Sequence, residues 1–168
     1  KAFLRTPVKF ARISSRFNLR RKHPILHKFR AHRGVDYAAS TGTPIKATGY
    51  GKIEFLGRKG GYGNTVVVRH GSGYTTLYAH MHKFRRGLKQ GSTIKQGQVI
   101  GYVGKTGLAT GPHLHYEFRV NGHHKDPLRV KLPKSLPIGT KLRRRFREQT
   151  HKLVAMLDIY SRTSVAMR

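Results

Sequence analysis

Between Gly34 and Val120 the sequence is built from short runs of β-type residues that glycine interrupts every few positions. Glycine pairs such as Gly60-Gly61 supply the backbone freedom that tight turns between antiparallel strands require. Strands at this spacing predict a mainly β fold with an antiparallel sheet, sandwich or barrel as its core. The predicted strands are residues 35–38, 44–47, 51–57, 64–70, 73–79, 99–103 and 113–120.

Two segments inside this region resemble each other. Residues 42–46 (GTPIK) and 91–95 (GSTIK) share three of five residues, and a glycine and then an apolar strand follow each of them. The match is short enough that chance explains it as well as an internal duplication does.

The segments before and after this region differ from it in composition and in the pattern of apolar residues. Residues 1–18 are basic and weakly patterned, although the short apolar runs Phe3-Leu4 and Ala11-Ile13, the second interrupted by Arg12, can add an edge strand, and residues 20–33 predict a solvated loop. Prolines 127, 133 and 137 mark a linker. Residues 140–160 carry apolar side chains at helical spacing, so we expect an amphipathic helix with Thr140 as its N-cap. Its apolar face is expected to pack on the β core or on a neighbouring domain, with contact to a membrane surface or a polyanion as the alternative. The apolar positions are Leu142, Phe146, Leu153, Val154 and Leu157.

The net charge of the chain limits the classes of partner that it can bind. The 168 residues contain 35 Lys and Arg against 6 Asp and Glu, which gives a formal net charge of +29. A chain of this length forms one domain of ordinary size, and its charge predicts a polyanionic partner: nucleic acid, anionic lipid or an anionic cell wall. No apolar run approaches the roughly 18 residues of a membrane-spanning helix. The absence of cysteine excludes disulfides and cysteine-bound zinc. Since the chain begins at Lys1 without Met or a signal segment, we expect a mature form or a piece of a longer protein.

Histidines and scarce carboxylates form the candidate chemistry. His32 and Asp36 lie four apart, and an extended strand would separate them by roughly 13 Å, too far to share a metal. Gly34 argues against a helix there, so we expect His32 on a bend and Asp36 on the following strand. The six acids of the chain are Asp36, Glu54, Glu117, Asp126, Glu148 and Asp158.

A second group follows Gly111-Pro112. In a strand, His113 and His115 point to the same face about 6.6 Å apart, Leu114 faces the core, and Glu117 shares the face of the histidines. His80 lies at the end of another predicted strand. Neutral imidazole and carboxylate bind zinc, and a catalytic zinc usually has three protein ligands and a water molecule. Each piece alone is weak because an isolated strand histidine is usually structural, whereas the three pieces together favour a metal site.

Three motifs resemble the lysostaphin/LytM-type zinc metallopeptidases, which are peptidoglycan endopeptidases with a mostly antiparallel β core that contains a duplicated hybrid motif. The motifs are HRGVDYA at residues 32–38, GYGN at 61–64 and TGLATGPHLHYE at 106–117. The similarity covers residues 13–127, which predicts a lead segment at 1–12, a LytM-type metallopeptidase domain at 13–127, and a linker with a C-terminal helix at 128–168. Residues 13–18 and the tail from Asp126 resemble the periplasmic D,D-endopeptidases of Gram-negative bacteria.

The resemblance implies one Zn²⁺ per chain bound by His32, Asp36 and His115. It makes His113 the base that takes a proton from water, and His80 the group that stabilises the oxyanion or protonates the leaving amine. Glu117 is expected either to orient a histidine or to be an exposed residue paired with an arginine. Tyr62 and Asn64 are expected in the wall of the substrate groove. His82 is an additional histidine outside the pattern, and its role is open.

The implied function is hydrolysis of peptide cross-links in peptidoglycan, at D-Ala–diaminopimelate bonds first and glycine bridges second. We expect a bacterial protein of the periplasm or the extracellular cell envelope, regulated by N-terminal domains or envelope proteins. The alternatives are a non-catalytic peptidoglycan-binding regulator, which the complete ligand set disfavours, and a nucleic-acid-binding protein. The second is disfavoured because the sequence contains no recognisable RNA-binding, helix-turn-helix or zinc-finger pattern.

Overall fold

A computed structural model describes residues 2–9, 11–20, 31–133, 148–151, 153 and 155–157. The chain divides into two compact units, Lys1–Lys134 and Ser135–Arg168. Among the described residues of the first unit, ten strands form one branched antiparallel sheet, which confirms the predicted mainly β fold. The strands are β1 (Arg12–Ser15), β2 (Val35–Ala38), β3 (Pro44–Lys46), β4 (Gly51–Arg58), β5 (Asn64–Gly71), β6 (Tyr74–Phe84), β7 (Thr93–Ile94), β8 (Val99–Val103), β9 (His113–Val120) and β10 (His123–Lys125). A single 3₁₀ turn, Gly60–Tyr62, separates β4 from β5.

The main path through the sheet runs in the order β1-β2-β9-β6-β5-β4-β7, with β10 beside β9 and β8 joining β3 to β6. β2 and β9 pair so that Asp36 lies opposite His115 and Ala38 opposite His113. On the other side of β9, Leu77 of β6 lies opposite Glu117. The residues singled out in the sequence therefore meet on neighbouring strands at the centre of the sheet.

Alternation along β9 separates its two faces. Leu114, Tyr116 and Phe118 are at most 2% exposed and belong to the main apolar core, whereas the residues between them face the candidate site. Glu117 lies on that second face, where Val67, Leu77 and Ala79 form a smaller apolar cluster with Tyr62 at its edge. The predicted inward direction of Leu114 is confirmed.

The first residues of the chain belong to this core. Phe3 is buried and contacts the ring of Phe118 edge-on, and Val8 is buried in the same cluster. Arg5 Nη1 lies 3.2 Å from the carbonyl oxygen of Pro127 and 3.0 Å from that of Val130. This clasp joins the start of the unit to the segment that follows β10.

The two similar segments found in the sequence have the same local structure. Gly42 and Gly91 both have a positive φ, of 90° and 85°. The amide after each glycine closes a turn, and the isoleucines of β3 and β7, Ile45 and Ile94, are both fully buried. β7 and β10 were absent from the predicted strands because two- and three-residue strands carry too little periodicity.

The second unit contains a helix. Residues 148–151, 153 and 155–157 are helical, which agrees with that part of the helix predicted at 140–160. Leu153, Met156 and Leu157 are exposed. The predicted Thr140 cap, Leu142, Phe146 and Val154 lie outside the described residues, as do residues 21–30 of the predicted loop. No helix among the described residues is long and apolar enough to cross a membrane.

Candidate metal centre and active site

Three side chains converge where β2 meets β9. His32 Nε2 lies 3.0 Å from Asp36 Oδ1 and 3.1 Å from His115 Nδ1, and the last two atoms are 2.8 Å apart. Ligands of a tetrahedral zinc, each about 2 Å from the ion, lie roughly 3.3 Å from one another. The three side chains are 10%, 13% and 8% exposed, so the group is shielded and still reachable from solvent. The donor set and its spacing fit a zinc ion.

The local sequence explains how His32 reaches Asp36. His32 pairs with Asn18 in an isolated bridge, the chain bends at Gly34, and β2 begins at Val35. A Cβ at Gly34 would lie 2.5 Å from the carbonyl oxygen of Tyr116 and 2.7 Å from the ring of His115, which is closer than real Cβ contacts allow. The bend is therefore possible only with glycine at this position. It also places the backbone of Gly34 directly against the ring of His115.

Hydrogen bonds outside the triangle fix the tautomers of the candidate ligands. His32 Nδ1 lies 2.8 Å from the carbonyl oxygen of Arg16, which can only accept, so in the neutral ring that a metal would bind Nδ1 carries the proton and Nε2 offers its lone pair. His115 Nε2 lies 3.1 Å from Glu117 Oε1, an arrangement in which Nε2 donates and Nδ1 faces the triangle. A carboxylate or carbonyl behind a ligating imidazole is the usual way to hold its ring for a metal.

Glu117 is the centre of a buried polar network. It is fully buried, and its Oε1 accepts from Tyr62 Oη at 2.7 Å as well as from His115. Its Oε2 lies 2.9 Å from Arg119 Nε and 3.0 Å from His124 Nε2, and Arg119 Nη2 is a further donor. The alternative of an exposed strand residue is therefore wrong. Glu117 bonds to an arginine as that alternative expected, but also to the histidine.

These contacts shift the pKa values of Glu117, Asp36 and His115. Burial raises the pKa of Glu117, but hydrogen bonds from His115 and Tyr62 and the charge of Arg119 outweigh it and lower this pKa to about 2. The pKa of Asp36 falls well below its usual range for the same kind of reason, since bonds from His115 and His32 overcome its burial. Burial lowers the pKa of His115, but Asp36 and Glu117 together raise it to about 9 in the metal-free protein. Both acids are thus ionised at neutral pH.

Two further histidines lie beside the triangle. The rings of His80 and His113 are 4.6 Å apart, and His113 Nε2 is 4.0 Å from Asp36 Oδ1. His113 Nδ1 lies 2.8 Å from the carbonyl oxygen of Gly111, and His80 Nδ1 lies 2.7 Å from that of Thr106. Each Nδ1 therefore carries its proton, and Nε2 of each neutral ring is left as a base. Burial lowers the pKa of His80 to about 4, so it is neutral at pH 7.

The backbone conformation at His80 sets the direction of its side chain. It is not at the end of a strand, as the sequence predicted, because β6 continues to Phe84. Its φ of 58° is left-handed, and around it two residues of β6 oppose one of β5, which is a β-bulge. β6 pairs with β9 as far as Ala79 and with β8 from Met81 onward. His80 thus lies at the change of partner strand.

Tyr62 ends the 3₁₀ turn and Asn64 begins β5, and this glycine-rich segment packs against residues 106–108. The Tyr62 ring is 5.6 Å from that of His115. Asn64 Nδ2 donates to the carbonyl oxygen of His82, and its amide N–H donates to Thr106 Oγ1. A Cβ on Gly63 would lie 2.4 Å from the carbonyl carbon of Thr106, so only glycine permits this packing. His82 itself is exposed.

Sequence reasoning missed Arg119, His124 and Thr106. Arg119 carried a signal, because it shares the face of His115 and Glu117 under strand alternation. His124 carried none: it reaches Glu117 through the short hairpin in which it pairs with Arg119.

The sequence pattern of peptidase family M23 matches residues 30–127, a range that includes His32, Asp36, His80, His113 and His115. The chain belongs to this family. This M23 chain is 47% identical over 161 residues to the peptidoglycan DD-endopeptidase ShyC of Vibrio cholerae, a match that covers 96% of this chain and 37% of ShyC. It therefore spans less than two-fifths of that relative.

Solved structures agree with the assignment to M23. A zinc-containing peptidase from Vibrio cholerae has a TM-score of 0.73 and 40% identity, covering 79% of this chain and 41% of the other. The catalytic domain of lysostaphin from Staphylococcus simulans has a TM-score of 0.62 and 32% identity, covering 70% of this chain and 90% of the other. The resemblance to lysostaphin/LytM-type peptidases is confirmed.

Proposed function

We propose that this M23 chain is a zinc-dependent endopeptidase that hydrolyses peptide cross-links of peptidoglycan. The observation that carries the proposal is the triangle of His32 Nε2, Asp36 Oδ1 and His115 Nδ1 with His113 Nε2 4.0 Å from Asp36. One zinc ion per chain would be held by these three residues. Zinc at such a site acts as a Lewis acid and lowers the pKa of a water molecule from about 15.7 toward 7.

The histidines supply the proton transfers. The contact of His113 Nδ1 with the carbonyl oxygen of Gly111 favours the tautomer in which Nε2 offers its lone pair beside the triangle, so we assign His113 as the base that removes a proton from water. His80 starts as a neutral ring with Nε2 unprotonated, and it must gain a proton before it can stabilise the oxyanion or protonate the leaving amine. Glu117 would hold the His115 ring in place.

The wall of the groove is assigned to the segment that carries Tyr62 and Asn64. Because the Tyr62 hydroxyl is already bonded to Glu117, its contact with substrate would be made by the face of its ring. Asn64 would offer its Oδ1, since its Nδ2 donates to His82.

ShyC is named a peptidoglycan DD-endopeptidase, and this supports D-Ala–diaminopimelate as the bond cleaved. The whole protein would act in the bacterial envelope, in the periplasm or outside the cell, under the control of N-terminal domains or envelope proteins. The proposed catalytic part spans residues 13–127, with a lead segment at 1–12 before it and a linker with a helix at 128–168 after it.

Digestion of purified peptidoglycan tests the assignment. The zinc-loaded chain should convert cross-linked peptides to un-cross-linked ones by hydrolysing the D-Ala–diaminopimelate bond, and a chelator should stop the reaction. His113→Ala should retain bound zinc and lose cleavage by about 100-fold or more, the usual contribution of a general base. His82→Ala is the matched control, because His82 is an exposed histidine nearby, and it should cleave like the wild type. Full cleavage by His113→Ala would rule out its role, and zinc-loaded protein without any cleavage would favour the regulator.

A further inference from the structure

Basic side chains surround the buried carboxylate of Glu117. Arg119 and His124 both bond to Glu117 Oε2, and their side chains are 22% and 20% exposed, so they reach the surface beside the triangle. Arg119 uses Nε and Nη2 in this contact, whereas its Nη1 has no partner among the described residues. One edge of the guanidinium is therefore free to bind a ligand.

Arg33 adds a second guanidinium to this surface. It lies between His32, a member of the triangle, and Gly34, which packs against the ring of His115. It is exposed, and within the part of the chain that the structure describes it forms no hydrogen bond or ion pair. We define Arg33, Arg119 and His124 as the cationic rim.

Electrostatic effects agree with the placement of the rim. Burial lowers the pKa of His124, and the charges of Arg119 and Arg33 lower it further, so both guanidinium groups act on this ring. The charge of Arg33 also acts on the hydroxyl of Tyr62. Arg33 is thus close to the hydrogen-bond network of Glu117 but takes part in none of its hydrogen bonds.

The charges around this point do not balance. Glu117 is the carboxylate that bonds to the rim, and it already accepts from four side chains. Arg119 bonds to this carboxylate, and Arg33 bonds to none among the described residues, so the unused donors belong to arginine. Arginine binds carboxylates through paired N–H donors, and an anion here would restore the balance.

We propose that Arg33, together with Arg119 Nη1, binds a carboxylate group of the peptide substrate next to the candidate metal centre. This proposal rests on the proposed function, since cross-linked peptides carry carboxylates near the bond that is cut. The rim would thus select substrates by their charge and fix their direction in the groove. Arg33 is the better residue for a test because its removal leaves Glu117 and His115 fully bonded.

Binding of two soluble cross-linked peptides tests the rim, one with free carboxylates and one with the carboxylates amidated. Affinity is measured by calorimetry on zinc-loaded protein that carries His113→Ala, so that no cleavage is needed. Amidation should weaken binding by about tenfold in this background. With Arg33→Gln added, the two peptides should bind equally well, and Arg33→Lys should recover part of the preference.

Arg69→Gln is the matched control, because Arg69 is an exposed arginine toward the far end of β5, where it pairs with Thr75. It should keep the full preference for the free carboxylate. An equal loss of preference in Arg69→Gln would overturn the proposal in favour of a general charge effect, as would an unchanged preference in Arg33→Gln. If the preference follows Arg33 but the wild type cleaves neither peptide, the carboxylate site stands and the proposed hydrolysis fails.

Discussion

Asp36 lies directly opposite His115 in the β2–β9 register, and its Oδ1 is 2.8 Å from Nδ1 of that ring. The pairing of two strands thus sets the shortest distance in the candidate metal centre. A register shift of one residue would turn Asp36 to the core face and remove it from the site. Hence the metal centre depends on the sheet as much as on its ligands.

Gly34→Ala should weaken zinc binding without touching a ligand. The new Cβ would overlap the His115 ring and the Tyr116 carbonyl, so either His115 or the bend must move. We expect a loss of at least tenfold in zinc affinity, measured by competition with a chromophoric chelator. Gly111→Ala is the control, since a Cβ there meets nothing within 4 Å and φ is not positive. Equal affinity in both variants would contradict the assigned contact.

Glu117→Gln should lower zinc affinity by about 10–100-fold, because the amide holds the His115 ring less well than the carboxylate. Tyr62→Phe removes one donor to Glu117 and should give a smaller loss in the same titration. It serves as the second variant if Glu117→Gln, with Arg119 left unpaired, fails to fold. Tyr37→Phe is the control, since the buried Tyr37 hydroxyl has no partner among the described residues. Affinities that are equal in the Tyr62 and Tyr37 variants would speak against the network.

The metal-free protein should lose stability between about pH 6.5 and pH 9. The folded state raises the pKa of His115 from 6.5 to about 9, so its stabilising effect is complete below pH 6.5 and disappears as pH rises through 9. The loss is on the order of 3 kcal/mol and should be visible in urea unfolding. The His115→Asn variant should lose little stability over the same pH range. A wild-type stability that stays flat across this range would contradict the ionised Asp36–His115 pair.

Raising the salt concentration should weaken attachment to the wall more than it slows cleavage. A net charge of +29 favours retention on an anionic wall, and this long-range attraction is screened within about 8 Å at physiological ionic strength. Raising salt should therefore release the protein from sedimented peptidoglycan while the cleavage of a short soluble peptide slows much less. A parallel decline of both would mean that long-range charge attracts the short peptide as strongly as the wall, and would contradict this separation.

Much of the site could be predicted from local sequence. The face shared by His113 and His115 follows from strand alternation, and Gly34 indicated the bend that brings His32 to Asp36. The full burial of Glu117 could not be predicted, because it depends on Leu77 of β6 and on Tyr62, which are distant in sequence. The left-handed backbone of His80 was also hidden, since nothing in the residue type marks a β-bulge.

The clasp between Arg5 and the carbonyl oxygens of Pro127 and Val130 has a mechanical consequence. It ties the two ends of the β unit at one place, outside β2 and β9. A pulling force applied between these ends loads the clasp and the buried Phe3 before it reaches the histidines.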